Sequence, residues 1–263
     1  LLHALRVLRS PSFGGLGPGV ELADALLLQP GVDAAVGLLV GAGKGDAHGA
    51  LQAVGFDQPQ PARALDVQHQ GVDGVFQPGD LAALQGGVRW IQFRTKTLPE
   101  AAAIEEAARI AELCRDYGAT FIVNDSPRIA LAAEADGVHL GPDDPSPAEA
   151  RQLLGAYAVV GVTLNFPAHL ERLRGAQVDY AGVGPVRATA SKAKHAPVHT
   201  ADSLAELIAG ASPLPCFAIG GVTAADFPAL RVQGAHGIAV SGAIALATDP
   251  TAAARALVAA VSA

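Results

Sequence analysis

Residues 121–162 read FIVNDSPRIALAAEADGVHLGPDDPSPAEARQLLGAYAVVGV. Three short, mostly apolar runs stand out: Phe121–Val123, Gly137–Leu140 and Val159–Val162. Each has the length of a strand rather than a helix. Between them lie Pro127–Ala135 and Pro147–Leu154, which read as helices. Strand, helix, strand, helix, strand is the alternation of a parallel sheet whose crossovers are helical.

The pattern continues in both directions. Upstream, Val88–Phe93 is β-rich, and Pro99–Tyr117 carries apolar residues at helical spacing. Downstream, Pro167–Gly175 follows as a helix, then strand Tyr180–Val183 and, after a long loop, helix Ala201–Gly210. Strand Cys216–Ile219 and helix Ala224–Gln233 come next, then strand Gly237–Val240 and helix Thr251–Val261. Seven strand–helix units in a row fit a doubly wound sheet or a (β/α)8 barrel. No GxGxxG fingerprint opens the first unit, which favours the barrel. A barrel needs eight strands, so the first lies before residue 81, is degenerate, or comes from an atypical N-terminal segment.

The chain is 263 residues long, half hydrophobic, with a net charge of −7. That is too apolar for a disordered chain, and too acidic for a typical nucleic-acid-binding face. The richest apolar stretch, Leu26–Ala42, is broken by Gln29, Pro30 and Asp33, so no membrane span is expected. Cys114 and Cys216 sit in apolar patterns and read as buried free thiols of a cytoplasmic protein. Gly41–Gly45 superficially resembles a phosphate-binding P-loop, but Leu38 replaces its first glycine and Gly45 its Ser or Thr.

In such barrels chemistry sits at the C-terminal ends of the strands. Gln92, Arg94 and Lys96 alternate at the end of the first run, so they face one side. The next strands end in Asn124–Asp125 and in Gly141–Pro142–Asp143–Asp144. Carboxylates at neighbouring strand mouths can share a hard cation such as Mg²⁺. The same residues equally suit turns or helix caps. Thr163 ends the following strand, and Gly184–Lys192 offers hydroxyls beside a lysine. Gly220–Gly221 and Ser241–Gly242 follow the last two strands, where barrels often cradle a phosphate with backbone N–H groups. One cluster suits a diphosphate with a metal and the other a monophosphate, which implies two phosphorylated substrates in one mouth. His195 and His199 read as solvated loop residues, and His139 as a residue of the barrel interior rather than a base.

These residues resemble thiamine-phosphate synthases. The matching stretches are Gly86–Lys96, Phe121–Asp125, Ala135–Gly141, Val178–Gly184 and Ala218–Val222, in order over about residues 81–263. The resemblance implies a barrel that joins 4-amino-2-methyl-5-hydroxymethylpyrimidine diphosphate to a thiazole monophosphate, giving thiamine phosphate and diphosphate with Mg²⁺. By position, Gln92, Arg94, Lys96, Asn124, Thr163 and Lys192 would hold the pyrimidine and its diphosphate. Arg94, Lys96 and Lys192 would be catalytic. Asp125 and Asp144 would ligate Mg²⁺. Thr189, Ser191, Gly221, Ser241 and Gly242 would hold the thiazole phosphate. Thr163 stands for the family's serine, Thr189 and Ser191 for its Thr-x-Thr, and Pro142 for its glutamine. Partners would be small phosphorylated substrates, with no nucleic acid and no membrane; homo-oligomerisation is compatible with it. A thiazole tautomerase-like barrel and an inactive phosphate-ligand-binding barrel are the alternatives; Arg94, Lys96 and Asp125 weigh against the tautomerase.

Residues 1–80 read differently. They are rich in Gly, Pro and Gln, hold one lysine, Lys44, and follow neither period for long. Ala34–Leu39 suits a strand and Val20–Leu28 a short helix. Gly74–Phe76 and Asp80–Gln85 are the candidates for the first strand and helix of the barrel. The chain has no methionine. We expect 1–80 to be an atypical, poorly specified leader, much of 1–75 being an upstream extension or a frame-shifted reading, and 81–263 to be the enzyme.

Overall fold

The computed structural model describes residues 34–41, 65–66, 78–188 and 197–262. The expected candidates Val20–Leu28 and Gly74–Phe76 lie outside these, as do Thr189, Ser191, Lys192 and His195.

Seven parallel strands form a curled sheet in sequence order. They are β3 (Trp90–Thr95), β4 (Thr120–Asn124), β5 (Gly137–Leu140), β6 (Val159–Leu164), β7 (Tyr180–Val183), β8 (Cys216–Ile219) and β9 (Gly237–Val240). Strand β1 (Ala34–Gly41) falls where Ala34–Leu39 suggested one. It runs antiparallel to both β3 and β9. The two-residue β2 (Leu65–Asp66) adds to β9 in parallel. The expected fold is thus borne out as a seven-strand α/β sheet. Its eighth position is filled irregularly among the described residues, not by a parallel strand leading directly into a helix.

The helices that cross between strands are α1 (Pro78–Gln85), α2 (Glu100–Asp116), α3 (Pro127–Ala132), α4 (Pro147–Leu154), α5 (Ala201–Ala211) and α6 (Phe227–Val232). The short α7 (Gly242–Ala245) follows β9, and α8 (Pro250–Ser262) is the last of the described helices. Several expectations shift, the helix read as Ala224–Gln233 for one opening as a 3₁₀ turn, Ala224–Asp226. The first run was read as Val88–Phe93, but Val88 belongs to the end of α1: its N–H bonds Ala83 O at 3.1 Å, and Gly87 N–H bonds Leu84 O at 3.0 Å. That pair is a Schellman cap, with Gly87 at φ +99°. The strand therefore starts at Trp90. Pro167–Gly175 was expected as an α-helix and is a 3₁₀ segment, Pro167–Leu173, with no buried residue. Its core contacts come from the partly buried Leu170 and Leu173, spaced by three, which a 3₁₀ turn stacks on one face.

Alternation splits each strand between two cores. Ile91, Phe93, Phe121, Val123, Val138, Leu140, Val160 and Val162 meet the helices. Residues of the opposite parity, Ile122, Val159, Tyr180 and Phe217, pack together with Trp90 inside the curl. Tyr180 fits because Gly161 is bare: a Cβ there would lie 2.1 Å from the ring. Cys114 and Cys216 are free and buried, as expected, and burial pushes the Cys216 thiol up to about 12. No helix among the described residues is long and apolar enough to cross a membrane.

Candidate active site

The inward parity of β3 continues upward from Trp90 to Gln92 and Arg94, both buried. Lys96 lies one residue beyond the strand and is exposed. Gln92 Nε2 donates to Asn124 Oδ1 at 2.5 Å, and Asn124 Nδ2 donates to Asp125 Oδ1. Gln92 Oε1 is fully buried and has no hydrogen-bond partner among the described residues.

The capping roles left open for Asn124–Asp125 and for Asp143–Asp144 go to serines instead. Ser126 Oγ accepts from Ile129 N–H to cap α3, and Ser146 caps α4 in a reciprocal box with Glu149. Asp125 sits at φ +68°, its N–H donating to His139 O at 2.8 Å. Asp144 Oδ2 accepts from Gly141 N–H at 2.6 Å. Freed from capping, the two carboxyls meet. Burial, then the hydrogen bond and charge of Asp144, push Asp125 up to about 6; Arg94 and Lys96 pull it back. Asp143 is exposed.

Thr163, on β6, is buried with its hydroxyl 2.8 Å from His139 Nε2. His139 Nδ1 lies 3.0 Å from the Tyr180 hydroxyl. His139 is therefore an interior residue, as read. After β8, Gly220 and Gly221 adopt φ +100° and +62°. Ser241 and Gly242 follow β9, the neighbour of β8, and start α7.

Three residues escaped the sequence reading. His199 is not merely a solvated loop residue: its Nε2 meets Asn165 O at 3.0 Å and its Nδ1 meets Ser203 Oγ at 3.1 Å. Arg187 forks onto Asp226, at 2.6 and 2.5 Å. No local motif signals either contact; strand order alone brings the loops together.

A family model described as thiamine monophosphate synthase matches residues 80–244. The chain belongs to the thiamine monophosphate synthase family. A thiamine-phosphate synthase of Phocaeicola vulgatus is 41% identical over 174 residues, covering 65% of this chain and 84% of that protein. One from Prochlorococcus marinus is 43% identical over 171 residues, covering 65% of this chain and 48% of that protein. The chain thus spans about half the length of the first curated relatives it matches. Among solved structures, a thiamine phosphate pyrophosphorylase from Pyrococcus furiosus is 30% identical, with a TM-score of 0.63 over 70% of this chain and 87% of that one. A 3-hexulose-6-phosphate synthase shares the fold at 22% identity, TM-score 0.51, over 71% of this chain and 96% of that one.

Proposed function

We propose that this member of the thiamine monophosphate synthase family condenses the aminopyrimidine diphosphate with a thiazole monophosphate, giving thiamine phosphate and diphosphate, and that 81–263 is the catalytic unit. The observation that carries the reading is Gln92 Oε1. It is a buried acceptor without a partner, beside a buried arginine, at a strand mouth. Such an atom costs stability unless a ligand N–H meets it, and an aminopyrimidine offers one. Thr163 presents a hydroxyl two strands beyond Asn124 for a ring nitrogen.

The facing carboxyls of Asp125 and Asp144 fit Mg²⁺. It binds through one or two carboxylates and completes its shell with water and substrate phosphate. No group of three or more His, Cys, Asp or Glu gathers among the described residues. When bound there, Mg²⁺ supplies positive charge to the leaving diphosphate.

The chain's own residues do the rest. Arg94 and Lys96 neutralise charge building on the diphosphate as the methylene C–O bond breaks and its electron pair leaves with oxygen. Gln92 and Thr163 hold the pyrimidine so that its cationic methylene faces the thiazole nitrogen. The nitrogen lone pair then forms the new C–N bond, and no protein nucleophile takes part. Lys192, Thr189 and Ser191 contribute from the loop after β7, and Gly221, Ser241 and Gly242 receive the thiazole phosphate.

The test is direct. Incubated with both phosphorylated substrates and Mg²⁺, the protein should release thiamine phosphate and diphosphate in equal amounts. Absence of product while thiazole phosphate still binds would overturn the synthase reading in favour of a binding barrel.

A further inference from the structure

The loop after β7 and the turn after β8 are sewn together by one arginine. Val186 N–H donates to Ile219 O and Arg187 N–H to Gly220 O, both at 2.9 Å. The Arg187 side chain then reaches Gly221 O at 3.0 Å. Three successive carbonyls, 219 to 221, are thereby drawn toward the β7 loop. The guanidinium is itself aimed by Asp226, which accepts both prongs of the fork. Asp226 is aimed in turn by the N–H and hydroxyl of Thr223, each at 2.8 Å. This is the bidentate geometry that lysine cannot reproduce.

The consequence follows from peptide geometry. The cis bonds among the described residues are at Pro185 and Pro213, so the peptides through 219–222 are trans. A trans peptide points its N–H opposite to its C=O. Carbonyls drawn toward β7 turn the N–H groups of Gly220, Gly221 and Val222 the other way. Because β8 lies between β7 and β9, that way is toward Ser241 and Gly242. Successive N–H groups facing one side make an anion-binding concavity. The turn needs bare glycine for this: a Cβ on Gly221 would lie 3.0 Å from Arg187 Cβ, at a φ of +62°.

We propose that Arg187, aimed by Asp226, is a positioning residue for the monophosphate substrate. It touches no substrate; it holds the Gly220–Gly221 turn in the conformation that receives the phosphate. This rests on the synthase reading for the identity of the substrate, not for the geometry.

The experiment compares wild type, Arg187→Ala, Arg187→Lys, Asp226→Asn and the double variant Arg187→Ala/Asp226→Asn. We expect KM for thiazole phosphate to rise roughly tenfold in each, with KM for the pyrimidine diphosphate unchanged. The double variant should be no worse than Arg187→Ala, because the two residues act as one device. Thermal melts identify a variant that merely fails to fold; Asp226→Asn, which keeps the shape of the surface side chain, then carries the test. An unchanged KM for thiazole phosphate, or an equal loss for both substrates, overturns the proposal. If wild type makes no thiamine phosphate, the synthase reading fails separately. Titration with inorganic phosphate then decides the device: weaker binding in the variants supports it, and equal binding refutes it.

Discussion

Asp125 and Asp144 meet carboxyl to carboxyl across the mouths of β4 and β5, and burial, followed by the hydrogen bond and charge of Asp144, raises Asp125 to about 6. A carboxyl with a raised folded pKa destabilises the folded state above that pKa. The penalty is relieved as pH falls from about 6 toward the ordinary carboxylate value, because the folded protein then binds the extra proton. Melts of metal-free protein should therefore show wild type losing stability relative to Asp125→Asn as pH rises from about 4 to about 6. The difference should be on the order of 2 kcal/mol. Mg²⁺ at pH 7 should restore wild type and do little for the variant. Parallel pH profiles would refute the carboxyl contact.

Gln92 separates binding from stability. Gln92→Leu removes the unpartnered acceptor but also the donor to Asn124. The two effects oppose, so unfolding free energy should move by less than about 1 kcal/mol. KM for the pyrimidine diphosphate should nevertheless rise at least roughly tenfold, because a site built around a polar contact loses it. Denaturant unfolding with steady-state kinetics checks both; an unaltered KM would remove Gln92 from the pyrimidine site.

Much of this was readable in the chain. The period of two put Gln92 and Arg94 on one face, and β5, β7, β8 and β9 fell on the runs that suggested them. Helix ends were less legible where glycine was absent. The helix read as Pro127–Ala135 stops at Ala132 because Glu134, at φ +57°, adopts the left-handed turn normally left to glycine, with Ala135 N–H bonded back to Ala130 O. The Asp125–Asp144 pair was legible only as two acidic strand ends; that serines would take the capping was not. Arg187 and Asp226 are 39 residues apart, and their meeting depends on the adjacency of β7 and β8. An antiparallel β1 could not be read from Ala34–Leu39, since direction lies in the pairing rather than in the run.

At the opposite rim of the sheet, Arg151 should matter for stability alone. It pairs with Asp179 at 2.6 Å, with side chains only 11% and 16% exposed, and also donates to the carbonyls of Gln177 and Ala156. Asp179 accepts in addition from Val160 N–H at the start of β6. Arg151→Ala strands a largely buried carboxylate and should cost about 2–4 kcal/mol by denaturant unfolding. Both KM values should hold, because Asp179 precedes β7 and the candidate site lies beyond its other end. A change in either KM at a temperature where the variant is folded would contradict that separation.

Thr163 tests how the interior supports the site. Its hydroxyl lies 2.8 Å from His139 Nε2, and His139 is in turn 3.0 Å from the Tyr180 hydroxyl. Serine keeps the oxygen and loses a methyl group; valine keeps the shape and loses the oxygen. Thr163→Ser should retain wild-type KM for the pyrimidine diphosphate within about twofold and cost little stability. Thr163→Val leaves a buried imidazole nitrogen without this partner, which should cost about 1–3 kcal/mol. It should also raise KM for the pyrimidine diphosphate, because the hydroxyl is then gone from the site. Tyr180→Phe divides the two effects. It weakens the support of His139 from below but leaves the Thr163 hydroxyl in place, so stability should fall while KM stays close to wild type. If Tyr180→Phe raised KM as much as Thr163→Val, the hydroxyl of Thr163 would not be the contacting group, and the imidazole of His139 would take its place in the pyrimidine site.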